Sequence, residues 1–373
     1  MKLKKVIVAP DSFKGTLSAK HVADVISQQV IASFPDCNII KMPIADGGEG
    51  SVDTIIDAIG GKTYQAHALS PDDRMIQASY GIASNGTAII EMAQSSGITK
   101  QDGLHPMTSS TYGFGQLILA ALERGASDFI LCIGGSATTD GGCGMAAALG
   151  VLFTNDMGRS FVPCGGVLTE IAEIDISGID RRIRDSRFTV MCDVDNPLCG
   201  INGAAYIYGP QKGADPEQVA MLDEGLQHLQ TVFLRCSGID HSGVPGAGAA
   251  GGLGFGCMAF LGAELMSGSE AILKLCGFRD HIVNADLIIT GEGKLDEQSF
   301  SGKVLSGIIR EAGGVPIYSI CGVCECDKTL LNKHSVSVYE TSECATIEES
   351  MTDPARYIQI ATQKAMHDID DCL

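Results

Sequence analysis

Positive charge is scarce in this chain. Twenty-six lysines and arginines stand against 45 aspartates and glutamates in 373 residues, a formal charge of −19. Nucleic-acid backbones and anionic membrane surfaces require clustered cations, so both are excluded as partners. A long uninterrupted apolar run is also missing. Ser242 to Ala263 is uncharged, but its eight glycines and one proline make a poor spanning helix, and it reads as a loop leading into a buried, glycine-packed helix. The N-terminal apolar run is only Val6–Ala9, too short for a signal peptide, so export is not expected. Several catalytic signatures are absent too. Gly61-Lys62-Thr63 resembles the end of a Walker A loop, but Ile56 occupies the place of its first glycine. Thr138 stands where a G-x-S-x-G motif around Ser136 needs glycine, which argues against an α/β-hydrolase. The eight histidines show no metal spacing.

Cysteine and glycine are plentiful. The 14 cysteines are scattered through apolar runs such as Leu131-Cys132-Ile133, a pattern of buried free thiols in a reducing cytoplasm. Cys321-x-x-Cys324-x-Cys326 is read as free thiols in preference to a soft-metal site. Pro245-Gly-Ala-Gly-Ala-Ala-Gly251 matches G-x-G-x-x-G literally, yet no strand precedes it, so it is a weak dinucleotide signal.

The length exceeds one typical core and predicts two domains. Strand-like Val6–Ala9 is followed by a helix that Ser18 can cap, with Val22, Val25, Ile26 and Val30 at helical spacing. Strand Asn38–Met42 and helix Ser51–Ile59 repeat the pattern, and Asp286–Thr290, Lys303–Ala312 and Pro316–Ile320 continue it near the C-terminus. Such alternation predicts a parallel sheet with ligands beyond the carboxyl ends of its strands, where Asp11, Ser12, Asp46 and Glu49 would face one crevice. The middle differs: Gln77–Ala83 and Thr87–Glu91, joined by Ser84-Asn85-Gly86, read as a hairpin. The expected fold is therefore α/β with two domains. A Rossmann-like parallel-sheet domain is formed by residues 1–62 and 271–373, and a mixed α/β domain, 63–270, is inserted between them.

Glycine-rich loops with a carboxylate or a lysine at their tips carry the chemistry. Ile133-Gly-Gly-Ser-Ala-Thr-Thr-Asp140-Gly-Gly-Cys-Gly144 follows a strand-like run, and its amides can bind an anion. Asp140 is expected inside that concavity, which favours phosphate accompanied by Mg²⁺ over a lone anion. Asp46-Gly-Gly-Glu49-Gly reads equally as a helix cap with its capping-box partner or as a metal or substrate site. Asp193 and Asp195 stand at a strand end on one side of an extended chain, and Gly209-Pro-Gln211-Lys212-Gly213 and Gly291-Glu-Gly-Lys294-Leu-Asp296 present lysines in loops. Opposite charges ~4 Å apart interact by about 4 kcal/mol at an effective dielectric of 20, several times a helix N-terminus. Lys14, Lys212 and Lys294 are thus what phosphoryl transfer asks for in so acidic a chain.

Together these segments resemble the bacterial glycerate kinase family of the non-P-loop type. The resemblance rests on seven segments in order: Ala9–Ala19, Pro43–Gly50, Gly134–Gly142, Cys192–Leu198, Gly209–Ala214, Pro245–Leu253 and Thr290–Asp296. It implies ATP- and Mg²⁺-dependent phosphorylation of D-glycerate, in bacterial enzymes usually to 2-phosphoglycerate. On that basis Asp193 is expected to accept the hydroxyl proton, and Lys14 and Lys212 to neutralise phosphoryl and carboxylate charge. Asp46, Glu49 and Asp296 are the metal candidates. Asp11, Ser12, Gly134, Gly135, Ser136, Asp140, Asp195, Gln211 and Lys294 are expected to bind substrate or phosphate. A kinase for another small hydroxy acid and a non-catalytic small-acid sensor remain the alternatives, and a homo-oligomer stays open. The chain departs from the pattern at Phe114, where a small hydroxyl residue is usual, and at Cys143 and Lys294, where Ala and Arg are commoner. Phe114 is expected to alter substrate or nucleotide contacts, and Lys294 to grip phosphate without a bidentate fork.

Overall fold

The structure, a computed structural model, describes residues 3–13, 16–44, 51–300 and 304–371. Lys14, Asp46 and Glu49 lie outside the described residues. In chain order the strands are β1 Lys5–Val8, β2 Asn38–Lys41, β3 Gly61–Leu69, β4 Met75–Ala83, β5 Ala88–Glu91, β6 Asp128–Cys132 and β7 Leu152–Thr154. They continue with β8 Ser160–Phe161, β9 Glu173–Asp175, β10 Arg187–Met191, β11 Glu264–Met266, β12 Leu287–Leu295, β13 Ile317–Cys324 and β14 Val336–Glu340. The chain separates into two compact units, Met1–Asp46 with Asp57–Ile59 and Ser267–Leu373, and Gly47–Ile56 with Gly60–Met266.

The first unit holds a five-stranded sheet in the order β14-β13-β12-β1-β2, with every pairing parallel. Val6, Ile7 and Val8 are fully buried, as a strand covered on both faces requires. The helix Ala19–Ser33 begins where Ser18 accepts a hydrogen bond from the His21 amide, and Val22, Ile26 and Val30 bury one stripe while Val25 stays half-buried. That stripe shares a core with Ile358, Ala361 and Ala365 of the helix Pro354–Asp371. Each such side chain contributes roughly 1.5–3 kcal/mol by leaving water.

One sequence expectation fails in this unit. Gly291–Leu295 is not a loop but the second half of β12, pairing Gly291 with Ile320 and Lys294 with Val323. A Cβ on Gly322 would lie 2.3 Å from the Gly293 carbonyl oxygen, so glycine here permits close backbone approach within a ladder and does not mark a turn. β13 correspondingly runs on to Cys324.

The second unit contains a six-stranded sheet, β11-β10-β6-β5-β4-β3, and a small β8-β7-β9 sheet. β11, β10, β6 and β5 are mutually parallel, whereas β5-β4-β3 are antiparallel. The expected hairpin is β4–β5, where Gly86 takes φ +91° and the Asn85 side chain accepts from the Thr87 amide. Val52 and Ile56 of the helix Ser51–Ile59 fill the space left by Gly81 on β4, since a Cβ there would come within 2.7 Å of Ile56. Residues 51–56 accordingly group with this unit. The uncharged glycine-rich stretch is, as expected, a loop that turns through positive φ at Ala250, Gly251 and Gly252 into a buried helix ending at Leu261.

Candidate active site

β6 and β10 lie side by side and in parallel, with Cys132 and Met191 in register at their carboxyl ends. Two chemically rich loops leave the sheet there, 133–142 and 192–198, at the end where open α/β sheets bind ligands. Distant segments close around them. The Tyr208 hydroxyl donates to Asn196 Oδ1 at 2.6 Å, and the Gly248 amide donates to the Asn196 carbonyl at 2.9 Å. Ser136 Oγ donates to the Ala250 carbonyl at 3.2 Å, and the Gly141 amide to the Gly251 carbonyl at 3.1 Å. The segment after β5 joins as well, through Ala137 N to Ser96 O and Ile98 N to Gly135 O. Gly251 shows why glycine is needed: its φ is +72°, and a Cβ would lie 1.9 Å from the Thr138 carbonyl oxygen. The literal G-x-G-x-x-G segment is therefore consumed by contact with the 133–142 loop.

Lys212 closes this assembly. It follows the helix Ala204–Tyr208 on a short 3₁₀ turn, Pro210–Lys212, and is only 2% exposed. Its Nζ donates to the Thr138 carbonyl at 2.5 Å and to Ser136 Oγ at 3.2 Å. Burial pushes its pKa down to about 7, and the charge of Asp140 opposes that shift.

Asp140 overturns an expectation. Its carboxylate does not face a concavity open to ligand: the residue is fully buried, accepting from Thr111 N at 2.8 Å, Thr111 Oγ1 at 2.7 Å, and Gly142 N and Gly144 N at 3.2 Å. Burial raises its pKa, with these four donors pulling the other way. The amides of Gly142 and Gly144 thus serve the protein's own carboxylate. The exposed backbone of Gly134 and Gly135, with half-buried Ser136, is what the loop offers outward. Asp193, Asp195 and Gln211 are exposed.

The first unit carries a second polar group at the carboxyl ends of β1 and β12. Asp11 is 8% exposed, its Oδ1 accepting from the Ser12 amide at 2.6 Å, and its own amide donates to the Gly291 carbonyl at 2.8 Å. Half-buried Asp296 accepts from Ser299 N at 3.2 Å, and Ser299 Oγ donates to Glu292 at 2.9 Å. Lys294 is a strand residue, not a loop tip, and pairs with Glu325 at 2.8 Å, which raises its pKa. Any phosphate held there competes with that carboxylate.

The family model for the glycerate kinase family matches residues 6–370. The chain belongs to the glycerate kinase family. It is 43% identical over 337 residues to glycerate 2-kinase of Escherichia coli K12, covering 89% of this chain and 88% of that one. It is 38% identical over 362 residues to a glycerate kinase of Bacillus subtilis 168, covering 95% of each. Among solved structures, a provisionally named glycerate kinase 2 from Salmonella typhimurium LT2 matches with a TM-score of 0.86 and 34% identity over 99% of both chains. The glycerate kinase described here is therefore an α/β enzyme, a phosphotransferase with an alcohol group as acceptor, which removes the sensor alternative.

Within this glycerate kinase the structure brings Ser136, Asp140 and Lys212 together and sets Asp11, Lys294 and Asp296 in the other unit. Phe114 is fully buried in the helix Tyr112–Glu123 and packs into the core of this unit. Cys143 is buried as well. Residues that sequence reasoning passed over are Thr111 and Thr138, which hold Asp140 and Lys212, Asn196 and Tyr208, which tie two loops, and Glu292. The Thr138-Thr139 pair inside a glycine loop was the available signal, because hydroxyls and carbonyls there have no strand partner. Among the described residues, no group of three or more His, Cys, Asp or Glu is placed to hold a metal ion, and no helix is long and apolar enough to cross a membrane.

Proposed function

We propose that the enzyme transfers the terminal phosphoryl group of ATP, with Mg²⁺, to the 2-hydroxyl of D-glycerate, giving 2-phospho-D-glycerate and ADP. The observation that carries this reading is Lys212, a cation buried against the glycine loop at the carboxyl end of β6 in a chain of charge −19. We assign its ammonium, and that of Lys14 from the sequence, to neutralising phosphoryl or glycerate carboxylate charge. The amides of Gly134 and Gly135 and the hydroxyl of Ser136 supply phosphate contacts, with Gln211, which precedes Lys212, and Asp195, in the loop after β10, as further ligand contacts. Asp193, exposed just beyond β10, accepts the hydroxyl proton as the substrate oxygen bonds to phosphorus and the bond to the bridging oxygen of ADP breaks.

Mg²⁺ is usually held by one or two carboxylates plus substrate phosphates, and half-buried Asp296 is the described carboxylate that would hold it, with Asp46 and Glu49 as the further candidates from the sequence. The chemistry the ion would supply is charge compensation for the transferring phosphoryl group. Asp11 and Ser12 frame the same unit's strand ends, and Lys294 contributes after leaving Glu325. The free thiols support the cytoplasm as the working compartment.

A ³¹P NMR time course with ATP, Mg²⁺ and D-glycerate tests the reading, with L-glycerate and other 2-hydroxy acids as controls. A phosphomonoester split by one proton is expected, because the 2-carbon is a CH; splitting by two protons means the 3-phosphate, and product with another acid alone moves the acceptor. Asp193→Asn is expected to lower kcat by two or more orders of magnitude, about the 10²–10⁴ that general-base catalysis supplies. Near-normal turnover removes Asp193 from the role.

A further inference from the structure

The first unit contains another cleft, formed by none of the groups assigned so far. Its volume is about 310 Å³, and Ser267, Glu270, Phe300, Ser306, Ile309, Arg310 and His334 line it. The size is at the lower end of small-molecule sites and accommodates a ring system with room for part of a sugar. Three features narrow the chemistry. Phe300 and His334 form an aromatic wall, ring centroids 5.2 Å apart and tilted by 37°, and Ile309 adds an apolar surface. Glu270 and Arg310 lie 3.9 Å apart and are about half exposed, at 45% and 55%. Their charges cancel, so the cleft has no excess cation to attract a phosphate. A flat, neutral ring with both donors and acceptors on its edge satisfies all three: it stacks on the aromatic wall, donates to the carboxylate and accepts from the guanidinium.

The position of Phe300 connects the cleft to the reaction. It ends the 3₁₀ turn Glu297–Phe300, which starts directly after Asp296. At about 2 Å per residue, four residues of 3₁₀ helix span roughly 8 Å, on the scale that separates a nucleotide's base from its outer phosphates. We propose that this cleft binds the heteroaromatic base of the nucleoside triphosphate donor, with Phe300 and His334 as its stacking platform. The proposal rests on the reading that ATP is the donor and Asp296 a metal ligand.

Photo-crosslinking with 8-azido-ATP, followed by peptide mapping, tests this on the native enzyme without any variant. Attachment within the peptides carrying Phe300 or His334, suppressed by excess ATP, is the expected result. Attachment confined to other peptides overturns the proposal. Kinetics provide the second test. Phe300→Leu and His334→Ala are each expected to raise KM for ATP about tenfold, the scale of one lost base–aromatic stack, while KM for D-glycerate is unchanged. Unchanged KM for ATP in both variants also overturns it. If wild-type enzyme forms phosphoglycerate from ATP while these results fail, the base site is wrong and the donor is right. If wild-type enzyme forms no product from ATP, the donor reading itself has failed.

Discussion

Lys212 retains 2% of its surface in contact with solvent, and burial brings its pKa from 10.5 to about 7. Two consequences follow with opposite signs. In the folded protein the lysine gives up its proton near pH 7, whereas in the unfolded chain it holds it to about 10.5. Between those values the unfolded state binds more protons, so stability gains with rising pH across that window, and the burial penalty is fully present below it. Urea midpoints of wild type measured against Lys212→Met from pH 6 to 9 are expected to show that rise in wild type alone. Activity runs the other way, because charge neutralisation needs the ammonium. The pH profile of kcat/KM is expected to fall above about 7, and in Lys212→Arg, whose guanidinium stays charged, this limb is expected to disappear. Asp140 is the complementary case. Asn in its place presents an amide NH₂ to the buried donors of Thr111, Gly142 and Gly144. Asp140→Asn is therefore expected to cost about 2–4 kcal/mol, read as a lower urea midpoint. The resemblance picked out both residues in sequence, but neither burial nor side-chain direction is written there.

At the scale of elements, local signals decided most of what could be read. The helix Ala19–Ser33 was legible because a capping serine and a 3.6-residue stripe both point to it, and the β4–β5 hairpin because alternation and Asn-Gly coincide. β12 was read half right: glycines at 291 and 293 look like punctuation locally, but the neighbouring backbone of β13 makes them ladder positions. Glycine's two uses separate by experiment. Gly262 takes φ +63° at a helix end, and a methyl added there would meet nothing within 4 Å, so Gly262→Ala is expected to cost about 1–2 kcal/mol for the left-handed backbone alone. Gly251→Ala adds overlap with the Thr138 carbonyl and is expected to cost about 3 kcal/mol or more. It should also depress kcat, because Thr138 holds Lys212. Equal thermal shifts and equal kcat for the two variants count against the packed-loop account.

For the molecule as a whole, cysteine chemistry gives a test of its packing. The 13 cysteines among the described residues are free thiols, of which Cys236 and Cys344 are exposed and Cys132, Cys143, Cys257 and Cys321 buried. Burial raises the pKa of Cys143, Cys257 and Cys321, which suppresses the reactive thiolate. Brief iodoacetamide treatment at pH 8 followed by mass spectrometry is expected to label Cys344 and Cys236 first. The four buried thiols should react only after urea is added. Early labelling of Cys257 or Cys321 means that the packing described around them is wrong.

By itself the sequence determined the alternation of strands and helices, the hairpin and the family. Those properties depend on neighbours within a few turns of chain or on the linear order of motifs. Only the tertiary structure decided that Asp140 turns inward, that Lys212 lies buried against the glycine loop, that Lys294 sits on a strand beside Glu325, and that Phe114 belongs to the core. Each of these depends on contacts across long stretches of chain. Lys212 meets Thr138 across 74 residues and Ser136 meets Ala250 across 114, and a residue's burial, pKa and direction are properties of such meetings.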